Sequence, residues 1–173
     1  MRKIFIFLIL LLPAFHTKAQ QNEDALAAQY YQSGDFEKAV VIYEKLFNQT
    51  KNPAYYDPLF TGLLNLKRYD EAEQLSRKLL KTSPRQYIYS VDLGRILLER
   101  GDKQQAANLF NKLIDDVPKN EAAIRELATT FYRAEAYDYS VKTFLAGRKL
   151  LGNEKAFSFD LIGLYRFRKD KVM

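Results

Sequence analysis

Small residues recur along this chain at a fixed interval. Ala72, Ala106 and Ser140 stand 34 residues apart, Ala39 precedes Ala72 by 33, and Pro84 and Pro118 are again separated by 34. A period of this length belongs to a helical hairpin that cannot bury its apolar face alone and must stack on its neighbours. It constrains the chain to an all-α solenoid of helix-turn-helix units. Such a fold offers an extended surface rather than a cleft of converging catalytic groups.

The unit is clearest in the middle of the chain. Tyr87 to Arg100 carries Leu93, Gly94 and Leu97 at helical spacing, and Arg100-Gly101-Asp102 then interrupts it. Glycine just past a helix end adopts the left-handed conformation cheaply. Asp102 is placed to cap the following helix, with Gln105 three residues on completing a pair like a capping box. Ala106, Phe110 and Leu113 share one face of that second helix, and Pro118 ends it. The first unit has the turn Gly34-Asp35 followed by Ala39, Tyr43 and Leu46. The second has Leu59, Phe60 and Leu63, a turn near Lys67-Arg68, then Ala72, Leu75, Leu79 and Pro84. The fourth has Leu127, Ala128 and Phe131, a turn near Glu135-Ala136, then Ser140, Phe144 and Gly147. The expected hairpins are about 20–52, 53–86, 87–120 and 121–154, with a half-repeat over 155–173, or about four and a half repeats.

These residues resemble the tetratricopeptide repeat family. The resemblance implies a right-handed solenoid in which a small residue on each first helix faces one on the second: Ala27 with Ala39, Gly94 with Ala106, Ala128 with Ser140. Helices approach to about 8 Å only where such side chains meet. Tyr30, Tyr43, Leu97, Phe110, Phe131 and Phe144 then fill the space between hairpins, while Phe60 occupies a position where a small residue is expected. The resemblance further implies that the first helices line a concave groove holding a peptide or protein partner. Its exposed positions would be Asp57, Thr61 and Asn65, then Arg95 and Glu99, then Arg125, Thr129, Tyr132 and Arg133, with Tyr31 at the N-terminal end. Arginines beside tyrosine and asparagine suit an extended peptide or an acidic segment through bidentate hydrogen bonds and stacking; the plainer reading is an ordinary polar surface. The lysine–asparagine set with which some family members grip a terminal carboxylate is not matched.

Residues 1–19 read as a signal peptide: Met1-Arg2-Lys3, an apolar run from Ile4 to Leu12, then Thr17-Lys18-Ala19 as the cleavage site, leaving Gln20 first. The rival, a retained anchor, has only the 12 residues Ile4 to Phe15, against about 20 for a spanning helix. The chain is therefore expected to be exported, to the periplasm first, or else to be secreted or membrane-associated. It has no cysteine, and its one histidine, His16, leaves with the signal. Thiol nucleophiles and serine–histidine triads cannot then be built, nor the usual zinc sites. No glycine-rich phosphate loop is present, and the carboxylate pairs Asp115-Asp116 and Glu71 with Glu73 do not face each other on a helix. The expectation is a protein without catalytic, cofactor or metal site. Losing Arg2, Lys3 and Lys18 from 27 basic residues leaves 24 against 21 acidic ones, a net of +3. That is too mild for a nucleic-acid partner. The basic residues Arg148-Lys149, Arg166, Arg168, Lys169 and Lys171 allow peripheral association with a membrane surface or anionic polymer.

Lys155 to Lys169 reads as the first helix of a fifth unit, with Phe157, Leu161, Ile162, Leu164 and Tyr165 packing on the fourth hairpin, and Phe159 and Phe167 pointing elsewhere. A helix apolar on nearly all sides expects burial on both, so further repeats or a partner should cover it. The leading functional reading is a non-catalytic interaction scaffold of the cell envelope. The alternatives are the accessory N-terminal repeat region of a larger enzyme or signalling protein, and a surface-associated binder of glycan or lipid.

Overall fold

The computed structural model describes residues 22–84 and 86–172, with side chains through Phe167. The expected signal peptide, 1–19, lies outside the described residues. Those residues form helices without a strand: α1 (22–32), α2 (Phe36–Thr50), a single 3-10 turn at Pro53–Tyr55, α3 (Tyr56–Asn65), α4 (Tyr69–Thr82), α5 (Tyr87–Glu99), α6 (Lys103–Asp115), α7 (Glu121–Arg133), α8 (Tyr137–Leu151) and α9 (Ser158–Val172). The fold class is the expected one, all-α and made of helical hairpins. None of these helices is long and apolar enough to cross a membrane.

Each hairpin turns by the same backbone device. Gly34, Lys67, Gly101 and Glu135 all have positive φ, at 78°, 57°, 88° and 59°. In each case this residue's N–H and the next one's reach back into the preceding helix. Gly101 donates to the Leu98 carbonyl (3.0 Å) and Asp102 to Leu97 (2.8 Å); Glu135 donates to Tyr132 (3.0 Å) and Ala136 to Phe131 (2.9 Å). This is the Schellman pairing, which satisfies carbonyls that a helix end would otherwise orphan. The capping expected of Asp102 is not realised. It holds the N-cap position of α6, yet its side chain makes no capping hydrogen bond. Asn120, not among the sequence candidates, does cap, accepting from the Ala123 N–H at 2.8 Å.

The chain divides into two compact units, residues through Ala72 and from Glu73 onward. In the first, Ala27, Ala39, Val40, Leu46, Leu59 and Phe60 form the core, and Tyr56 stacks on Phe60 at 5.8 Å. Gly62 of α3 lies so close to α2 that a Cβ there would meet Val40 Cγ2 at 2.6 Å. In the second, Ala106, Phe110, Ile124, Leu127, Ala128 and Phe131 are fully buried, and Phe110 meets Phe131 edge-on at 5.1 Å. Burying each such aromatic contributes about 1.5–3 kcal/mol.

α9 corrects the reading of the C-terminal segment. Phe157 is not in the helix; it sits before it at φ 58°, its ring against Phe144 at 5.0 Å. Arg148 fixes this junction, donating to the Ala156 carbonyl (2.8 Å) and Ser158 Oγ (3.0 Å), so it is half-buried and not part of a solvated basic patch. The helix therefore starts three residues after Lys155 and buries Leu161 and Leu164, whereas Ile162 and Tyr165 are exposed. Phe167 does not point elsewhere: it packs on Tyr132 at 5.7 Å and Tyr137 at 5.1 Å.

Candidate partner-binding surface

In the second unit α5 and α7 pack together, and α7 and α8 form an antiparallel hairpin. Tyr87 on α5 is pushed above the usual tyrosine pKa by burial first and then by the Glu126 carboxylate on α7. α9 continues the series on the other side of α7. Arg125 Nη1 donates to Asp160 Oδ1 at 2.5 Å, and Tyr132 meets Phe167. Both pairs join residues 35 apart, so α9 runs parallel to α7 in one register. Arg125 also lies 5.3 Å from the centroid of Phe157.

The ten expected groove residues fall into two groups. Tyr31, Asp57, Thr61 and Asn65 belong to the first unit. Tyr31 is half-buried, edge-on to Phe36 and Tyr43, and Asn65 Nδ2 donates to its own helix at the Thr61 carbonyl (2.8 Å). Tyr31 and Asn65 are thus occupied locally. The other six, Arg95, Glu99, Arg125, Thr129, Tyr132 and Arg133, lie in the second unit. On α5, Arg95 and Glu99 are four apart; on α7, Arg125, Thr129, Tyr132 and Arg133 follow the spacing of one helical face.

Arg95 is held within its own helix, where Nη1 bonds the buried Asp92 carboxylate at 3.1 Å. The residue one period on from it, Thr129, carries no charge. Arg125 is likewise held, by Asp160. Of the three arginines, Arg133 alone has a side chain that no ion pair or hydrogen bond holds among the described residues, and the same is true of Glu99.

The repeat register brings out a feature absent from the sequence candidates. Leu98 is 42% exposed and Tyr132 40% exposed, and they are 34 residues apart. Glu99 and Arg133 keep the same interval. The face thus presents an apolar rung, Leu98 and Tyr132, beside a rung of opposite charges, Glu99 and Arg133. Leu98 is legible in the sequence as the residue one period before Tyr132. Its exposure is not, because leucine at helical spacing is more often core.

The tetratricopeptide repeat family model matches residues 63–131, from the end of α3 through most of α7. Over that stretch the chain is similar to tetratricopeptide repeats. Solved structures with similar folds include MamA (residues 41 to the end) from Desulfovibrio magneticus RS-1, 18% identical, covering 87% of this chain and 85% of that one, with a TM-score of 0.48. A thermophilic TPR protein from Thermus thermophilus is 17% identical, covering 86% of this chain and 82% of that one, with a TM-score of 0.46. No curated protein matches the sequence. In the second unit α5 and α7 are the first helices of their hairpins, which is where the resemblance placed six of the binding positions.

Proposed function

We propose that this chain is a non-catalytic scaffold that holds a peptide or protein segment on the α5–α7 face. Proteins built of tetratricopeptide repeats are protein-interaction scaffolds, and the exposed rung of Leu98 and Tyr132 beside Glu99 and Arg133 carries the reading here. An apolar side chain of the partner would settle on Leu98 and the Tyr132 ring, with its charged groups meeting Glu99 and Arg133. Arg95 and Arg125 shape the face while their carboxylates keep them in place. The segment Met1 to Ala19 supports export, so the cell envelope, and the periplasm within it, is the proposed location.

The test is affinity capture from an envelope extract with wild type and with Leu98→Asp combined with Arg133→Ala. The double variant should capture at least tenfold less partner while keeping its helical circular dichroism. Equal capture would remove the face from consideration.

A further inference from the structure

The side of α9 turned away from α7 and α8 is apolar where it meets solvent. Phe159, Ile162, Gly163 and Arg166 form one stripe at helical spacing, and all four are exposed, Phe159 at 90% and Ile162 at 49%. A Cβ on Gly163 would meet nothing within 4 Å, whereas Gly94 and Gly147 are pressed against neighbouring side chains. Glycine weakens a helix interior, and no neighbour among the described residues uses the space that this one leaves.

The stripe is complementary to itself when reversed. Set antiparallel on a second copy about a two-fold axis between residues 162 and 163, Ile162 falls on the partner's Gly163 and Phe159 on the partner's Arg166, and both contacts occur twice. Bulk meets a gap, which lets helices approach closely, and a guanidinium meets an aromatic face. The helix dipoles also oppose. A parallel pairing would instead set Arg166 against the partner's Arg166 and leave the two glycines facing each other. We infer that this stripe of α9 is a self-association surface on which a second copy of the chain docks antiparallel. The contact is isologous and closes as a dimer. Four residues from each copy are few beside the roughly 20–30 a side of a standard interface, so the dimer is weak and concentration-dependent. The groove reading and this surface rest on separate observations.

The whole chain, purified and followed by sedimentation velocity over a concentration series, should exchange between monomer and dimer. Ile162→Arg should move the midpoint at least tenfold higher in concentration with unchanged helical signal. Geometry is read separately, because the chain has no cysteine of its own. Phe159→Cys and Arg166→Cys, mixed and mildly oxidised, should form a disulfide, while each alone should not; the other half of the two-fold contact is kept in the mixed dimer. A monomer at every concentration, an unshifted midpoint in Ile162→Arg, or cross-linking of each variant alone would overturn the inference. The first of these results would leave further repeats as the cover of α9.

Discussion

The ring of Phe110 fills the space that a side chain on Gly94 would need. A Cβ at residue 94 would overlap Phe110 Cε1 and Cζ and lie 2.9 Å from Cδ1. Gly94→Ala should therefore destabilise the protein even though alanine gains about 1 kcal/mol of helix propensity. Overpacking costs about 1–3 kcal/mol, and so close a contact belongs at the upper end, for a net loss of about 2 kcal/mol. Urea unfolding measures it, and Phe110→Leu in the Gly94→Ala background should recover part of the loss.

Ser140 stands in the column of Ala39, Ala72 and Ala106 and is buried like them. Its hydroxyl has no hydrogen-bond partner among the described residues. A buried unsatisfied polar group costs about 1–3 kcal/mol. Ser140→Ala should raise stability by about 1 kcal/mol, seen as a higher urea midpoint at unchanged slope.

The turns at Gly101 and Glu135 share a left-handed backbone, but only one is glycine. A side chain in this region costs about 1–2 kcal/mol. Glu135→Gly should stabilise by about 1 kcal/mol and Gly101→Ala should destabilise by a similar amount. Thermal melts showing the same sign for both substitutions would contradict this account.

Glu73 bonds Arg77 at 2.7 Å and Arg100 at 2.5 Å, and these guanidiniums, Arg77 first, hold its carboxyl below the usual glutamate value of 4.5. A depressed carboxylate contributes stability that is present above the unfolded pKa and is lost as pH falls through the folded one. From neutral pH down to the unfolded value the contribution should stay constant; below it the contribution should fade. Glu73→Gln should lose less stability than wild type on acidification through that range, which melts from about pH 7 to about pH 3 would show.

The repeat period carries most of the fold into view. It locates the turns at Lys67 and Glu135, where no glycine marks them, because the Schellman hydrogen bonds recur with the hairpin and not with the residue type. The close approach at Gly62 is not legible, since it depends on where Val40 of the preceding helix ends up. The face of α9 differs from expectation because Phe157 takes a left-handed conformation and delays the helix, which changes the side that Ile162 and Tyr165 present. The binding face is legible as positions but not as chemistry. Arg95 and Arg125 look available in the sequence; the Asp92 that holds Arg95 stands three residues before it on one helix and is legible by spacing, whereas only the three-dimensional register brings Asp160 to Arg125.

Tyr132 is at once part of the exposed rung and the ring against which Phe167 rests. A ligand that orders Tyr132 also orders the seat of α9, and linkage makes the effect mutual: whatever steadies α9 tightens the hold on that ligand. Amide exchange in α9 then becomes a gauge of occupancy on the neighbouring helix.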